Sequence, residues 1–268
     1  MKKTSYGNKK WNLRCCLCLL PSFLGIVVFF LVPYLRVLYY SLVNNQFQKK
    51  FVWFRNYQDV LQNEYFLLAL KNSFWLIVIG VPALMLLALG LSLSLSFSMR
   101  KFGFLRDLFV FPMMVPTAAI VVVWQNLFAG AESELPIYVL FIWKNLGICV
   151  ILLTAALTTI DDCFYEAARL DGAGTIKLHM NISIPLVVPT FFFTLLLAIM
   201  NSFKIFKESF LFYGGKYPPE HSYTLQFYMN NNFLKFNYPS LASASIITSL
   251  LALVIVFAGL YMQRRVQS

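Results

Sequence analysis

Residues 72–99 read NSFWLIVIGVPALMLLALGLSLSLSFSM, a run without a single Asp, Glu, Lys, Arg or His. At 1.5 Å per residue a helix needs roughly 20 apolar residues to cross a hydrocarbon core, and this run exceeds that. Residues 15–35, 108–131, 135–160 (with Lys144 alone charged), 181–203 and 236–263 repeat the pattern. The whole chain is 59% hydrophobic and only 12% charged, whereas a soluble domain carries roughly twice that charged fraction. The expected fold is therefore an all-α membrane protein of six transmembrane helices, with no soluble domain of useful size.

The first apolar run follows Lys2, Lys3, Lys9, Lys10 and Arg14, as in a signal peptide, but it continues through Phe30 to Tyr40 without a small-residue cleavage site. It reads as a retained span. That divides the chain into a basic cytoplasmic tail, residues 1–14, and a membrane domain, residues 15–268. The net charge of +11 does not indicate a nucleic-acid partner, because the basic residues gather at membrane boundaries. They stand before span 1, at Arg100, Lys101 and Arg106 between spans 2 and 3, and at Arg264 and Arg265 after span 6. Lys49, Lys50 and Arg55 lie on the opposite side, but the loop around Glu132 and Glu134 has no Lys or Arg. The bias predicts both termini inside.

Enzyme chemistry finds little to use. Cys15, Cys16 and Cys18 crowd one turn, and Cys149 and Cys163 stand apart, so neither a metal set nor a disulfide framework emerges. His179 and His221 fall on opposite sides of the membrane. The stretch Gly172 to Lys177 lacks the spacing of a phosphate loop. No metal, cofactor or catalytic residue is expected.

Two connections carry structure of their own. Tyr57, Val60, Leu61 and Tyr65 recur at helical spacing within 44–71, predicting a short interfacial helix. Residues 204–235 are long for a plain connection; Gly214–Gly215 and Pro218–Pro219 break any helix there, and 223–233 suits a second outer helix. Pro112 and Pro116 in span 3, and Pro185 and Pro189 at the start of span 5, free backbone carbonyls and predict kinks. No internal repeat is visible.

The remaining polar stretch, 161–184, lies between spans 4 and 5. Phe164, Ala167, Ala168 and Leu170 give a short helix one apolar face, and Ala167–Ala168 let another surface approach closely. Asp161, Asp162, Glu166 and Asp171 make a solvated, partner-facing surface. Gly172 and Gly174 then break the helix, and 175–182 leads helically back to Pro185.

At these residues the chain resembles the permease subunits of binding-protein-dependent ABC importers. Their signature of EAA, then DGA, then Ile-x-Leu-Pro matches Glu166-Ala167-Ala168, Asp171-Gly172-Ala173 and Ile182-Ser183-Ile184-Pro185 in register. Asn56-Tyr57, Asn72-Ser73, Phe104-Leu105-Arg106 and Ala242-Ser243-Ala244 are similar to the sugar branch, of maltose and glycerol-3-phosphate type. The departures are Ile184 for Leu, Asp161 where Pro usually precedes the helix, Trp53 for a common Gly, and a shortened 130–136 loop. The resemblance implies a type I importer permease that pairs with a second permease, as a heterodimer, in a bacterial cell membrane. It further implies docking of 161–184 on a cytoplasmic ATPase subunit, which binds the ATP, and loading by an extracytoplasmic solute-binding protein.

Polar groups inside spans are costly and mark pathways. Lys144 and Asn145 in span 4, Asn201 and Ser202 ending span 5, and Gln125 and Asn126 ending span 3 are the candidates, and the resemblance favours the first four. A cavity-facing Lys144 would suit an anionic sugar; alternatively it snorkels outward. A polyamine or phosphonate is the alternative solute. A secondary transporter, the other class, would want intramembrane acids that the spans lack.

Overall fold

The computed structural model describes residues 9–45, 47–99, 108–109, 111–112, 114–130, 133–215 and 218–267. Lys2 and Lys3, the cationic loop with Arg100, Lys101 and Arg106, the 104–106 motif and Glu132 lie outside the described residues.

Span 1 is α1 (Lys9–Ile26) and α2 (Val32–Ser41), joined by a π-helical turn at Val27–Leu31. A short helix, α3 (Arg55–Leu61), follows where an interfacial helix was expected. Span 2 is α4 (Glu64–Trp75), a π-turn at Leu76–Gly80 and α5 (Val81–Met99), so the helix begins eight residues before the charge-free run at Asn72. Next come α6 (Thr117–Leu127) and α7 (Leu135–Thr158). Span 5 is α9 (Thr175–Leu178), a π-turn at His179–Ser183 and α10 (Ile184–Ser202), preceded by α8 (Asp162–Leu170). The chain closes with α11 (Phe206–Tyr213), α12 (Leu225–Leu234) and α13 (Tyr238–Gln267).

Five of these stretches are long and apolar enough to cross a membrane: Cys18–Ser41, Glu64–Ser96, Leu135–Thr158, Thr175–Ser202 and Tyr238–Arg265. The sixth expected span, 108–131, is helical at residues 108–109, 111–112 and 114 and, after a break at 115–116, continues as the shorter apolar helix α6. Its Pro116 does not kink a continuous helix. It sits as the N-cap of α6 in extended conformation, φ −55° and ψ 130°, so the helix starts after it.

Pro33, Pro82 and Pro185 follow one rule, whereas Pro21 and Pro189 lie inside α1 and α10. Each π-turn ends two residues before a proline: Leu31 before Pro33, Gly80 before Pro82, Ser183 before Pro185. In each case the residue just ahead of the proline donates its N–H five residues back, Val32 to Val27, Val81 to Leu76 and Ile184 to His179. Proline lacks an N–H and its ring crowds the carbonyl four residues earlier. Widening the preceding turn keeps backbone groups paired and the helix continuous, which hydrocarbon surroundings demand.

Spans 2, 4 and 5 form the core. Leu84, Met85 and Ala88 of α5 pack with Phe141, Val150, Leu153 and Leu157 of α7 and with Val187 and Ala198 of α10. Ser92 stays buried by donating to Ala88 O at 2.7 Å and reaching Val150 O at 3.2 Å. The last span, α13, lies against α10 and α2. A second cluster, with Val60, Phe66, Ala69, Leu225, Phe227 and Ala244, joins α3, α4, α12 and α13.

Polar staples fix these outer elements. Asn56 donates to Ser41 O and Val43 O, both at 2.9 Å, and Tyr57 Oη meets Ser41 Oγ at 2.7 Å. Asn72 donates to Glu220 O at 2.6 Å and Tyr223 O at 3.0 Å, and Ser73 Oγ accepts Leu225 N–H at 3.1 Å. The first set fastens α3 to the end of span 1, and the second ties the 220–225 segment to span 2 across about 150 residues of sequence.

Candidate coupling and translocation site

The stretch 161–184 folds from its own sequence. Asp161 is the N-cap of α8 and accepts the Cys163 N–H at 3.0 Å, satisfying an N–H that the first turn leaves without a partner. That hydrogen bond holds the Asp161 carboxyl below the usual carboxylate range. The start of α8 is thus capped by a side chain. The Cys163 thiol is pushed up, first by partial desolvation and then by its hydrogen bond to Asp161 and that residue's charge.

The far end of α8 explains the spacing of the signature. Ala173 N–H returns to Ala168 O at 2.9 Å, and Gly172 N–H to Arg169 O at 3.0 Å. This pair of bonds is a Schellman closure, which needs a left-handed residue between helix and exit. Gly172 supplies it at φ +77°. Ala168 and Ala173 are the two residues such a closure brings together, and both pack against the main core.

The structure also orients the helix. Tyr165 is buried and its Oη lies 2.9 Å from Ser183 Oγ, which is itself 3.1 Å from His179 Nδ1. A single polar knot therefore fastens α8 to the π-turn of span 5. Glu166, Ala167 and Asp171 face outward, with Leu170 90% and Ile176 80% exposed. Pro185 stands in the first turn of α10. The second half of the segment, 175–184, does not stop at that proline but continues unbroken into the span. Tyr165 and Ser183 escaped sequence reasoning as anchors, although a lone Tyr on the apolar face of a polar helix is a signal.

The polar residues of the spans divide. Asn201 of α10 donates to Asn145 Oδ1 of α7 at 2.9 Å, and Asn145 donates to Phe141 O at 2.8 Å. Lys144 pairs with Glu208 of α11, a buried carboxylate. Its charge is thereby neutralised, which removes the reason to expect an anionic solute from Lys144. Ser202 is not part of this group: its hydroxyl turns back to Ile199 O at 2.7 Å. Gln125 donates to Phe212 O at 2.7 Å, and Asn126 to its own helix at Val122 O. Trp124 stacks on Phe128 and meets Trp143 edge-on. Among the described residues its indole N–H and the Ser209 hydroxyl are buried without partners. Glu208 was missed because it falls in a connection, yet a lone acid inside FKESFLFY was the visible sign. Among the described residues no group of His, Cys, Asp or Glu is placed to hold a metal.

With a coupling segment, a polar seam between spans and an outer cap in view, comparison with known proteins is decisive. Residues 86–268 match the family model described as the binding-protein-dependent transport system inner membrane component. The chain belongs to this family. It is accordingly a multi-pass membrane permease of an ABC transport system, and a secondary transporter is set aside. Among relatives, the arabinooligosaccharides transport system permease protein AraP of Bacillus subtilis (strain 168) is 26% identical over 274 residues, covering 88% of this chain and 83% of that protein. The sn-glycerol-3-phosphate transport system permease protein UgpA of Pectobacterium atrosepticum is 25% identical over 211 residues, covering 69% and 71%. Among solved structures, a bacterial ABC transporter involved in import of the acidic polysaccharide alginate superposes with a TM-score of 0.76 at 22% identity, covering 97% of this chain and 98% of that one. Its fold is the fold seen here.

Proposed function

We propose that this permease forms one half of the translocation pathway of an ATP-driven importer for a sugar or sugar derivative. It couples to a cytoplasmic ATPase through 161–184. The observation that carries the coupling role is the build of α8: fastened inward by Tyr165 to Ser183, and presenting Glu166, Ala167 and Leu170 outward. A helix held rigidly to the start of span 5 transmits a push as motion of that span, and the two arrangements of the bundle are then biased by the ATPase and by a loaded binding protein. ATP is bound by the ATPase subunits. This chain supplies docking and a pathway, and carries out no covalent chemistry of its own.

Sugar as the solute is supported by AraP and by UgpA, whose solute is a phosphorylated polyol. Asn145 and Asn201 offer amides suited to hydroxyl groups. Within the Lys144–Glu208 pair the two charges offset each other, which favours a sugar over a polyamine. The remaining partners are a second permease, an extracytoplasmic solute-binding protein of the kind held by the related alginate transporter, and the lipids around the spans.

The test is co-purification of ATPase subunits with wild type and with the double variant Glu166→Lys, Gly172→Pro. Proline cannot adopt the positive φ of residue 172. Stoichiometric ATPase with wild type, and loss in the variant at unchanged membrane insertion, is the expected result. Equal recovery from both overturns the docking assignment.

A further inference from the structure

At the end of the bundle opposite 161–184, a cavity of about 350 Å³ opens between α3, α4, α12 and the start of α13. Asp59, Tyr65, Tyr223, Asn231, Asn232 and Lys235 line it. Its volume is near the lower end of the roughly 300–1,000 Å³ typical of small-molecule sites. We infer that it is a binding site for a neutral polyhydroxyl group, the end of a saccharide, separate from the Asn145–Asn201 seam.

Asn231 is the residue that points to a ligand. It is 5% exposed, and its Nδ2 donates to Tyr223 Oη at 3.1 Å. Its Oδ1 is buried and has no partner among the described residues. A buried amide oxygen without a donor is costly, and nearly all such groups in folded proteins are paired. The neighbouring Asn232 is different: its amide donates to Tyr228 O at 2.9 Å. Asn231 Oδ1 is shielded behind the cavity wall, so a ligand hydroxyl, a donor of the right kind, reaches it once the side chains at that wall shift.

The surrounding chemistry narrows the ligand. The Tyr65 and Tyr223 rings meet edge-to-face at 6.2 Å and form an apolar wall beside the amides, suited to the C–H face of a sugar ring. Burial holds the Tyr228 phenol above its ordinary value, so it stays neutral, able both to donate and to accept. Asp59 and Lys235 offset each other, which disfavours a phosphate and a polyamine alike. One carboxylate among amides is also a poor cation site.

This inference rests on the sugar reading above, and its test separates the two. Saturation-transfer NMR would be recorded on the intact complex in nanodiscs without the solute-binding protein, using arabinotriose, maltotriose and xylotriose as probes. Variants are Asn231→Leu and, because Tyr65 is exposed and leaves the core untouched, Tyr65→Ala. Uptake of the same labelled sugars by cells is measured in parallel. Loss of one or two hydrogen bonds in Asn231→Leu, or of the aromatic wall in Tyr65→Ala, weakens binding about tenfold, and that weakening in both variants, with the complex intact, is expected. Equal binding by wild type and both variants overturns the cavity as a saccharide site, while sugar uptake leaves the transport reading standing. Absence of uptake by wild type, with saccharide binding still lost in the variants, overturns the transport reading and leaves the cavity site. If no saccharide binds and the variants instead lose the solute-binding protein, the cavity is a protein contact and the inference falls.

Discussion

Lys144 and Glu208 bring opposite charges to the edge of the polar seam, and neither would be there alone without cost. Glu208 is buried, so removing its partner strands a carboxylate. Loss of a fully buried pair costs about 3–5 kcal/mol, and solvent reaching Lys144, 42% exposed, lowers the expectation to about 2 kcal/mol. Lys144→Met should therefore lower the unfolding midpoint of the purified complex. The double change Lys144→Met, Glu208→Gln should recover most of that loss, since no charge is then left unpaired. A double variant no better than the single one would show that the pair is not what holds α11 to α7. Sequence placed Lys144 in a span correctly, but could not see its partner, because contact between residues 64 apart is a product of the fold. Trp53 is a second case: it occupies the left-handed region at φ +53°, which a bulky residue rarely adopts and which the residue type alone does not signal.

Elements transmit what residues set up. A side-chain tie between α8 and span 5 is the Tyr165–Ser183 contact at 2.9 Å, joined by His179. Without it α8 keeps its cap, its Schellman closure and its exposed face, so ATPase docking should survive while transmission weakens. Tyr165→Phe and Ser183→Ala should each leave ATPase co-purification near wild type. A neutral hydrogen bond is worth about 1 kcal/mol, so stimulation of ATP hydrolysis by the loaded binding protein should fall about fivefold. Parallel loss of docking and stimulation would mean that the tie serves only to fold the segment. The helix, its turn and its outward face were legible because periodicity and glycine encode local conformation directly. The anchoring to Ser183 was not, since it depends on a π-turn that places residue 183 toward α8. That turn has a cause in sequence, Pro185, yet the same proline spacing reads on its own as a kink. Pro33 and Pro82 behave alike, whereas Pro116 caps α6 at a break in span 3. Hydropathy separates apolar from polar stretches without telling which of these a proline will do.

Across the whole molecule, the spans set the coupling segment and the Asn231 cavity at opposite ends, because one connection follows span 4 and the others follow spans 1 and 5. The positive-inside bias assigns the end bearing 161–184 to the cytoplasm, and the chain carries its own reporter there. Cys163 is exposed at the start of α8, and Lys235 is exposed at the other end. With Cys15, Cys16, Cys18 and Cys149 replaced, a membrane-impermeant maleimide should label Cys163 in inverted vesicles and not in intact cells. A Lys235→Cys, Cys163→Ser chain should show the reverse. The rate adds a second check. Maleimide reacts with the thiolate, and the Cys163 thiol is held above its ordinary value, so labelling should be slow at neutral pH and accelerate as pH rises. Asp161→Asn removes the neighbouring charge but not the desolvation, and should restore only part of the rate at pH 7. Labelling of Cys163 from outside intact cells would invert the molecule, place the cavity on the ATPase side and remove the basis for both the docking role and the saccharide site.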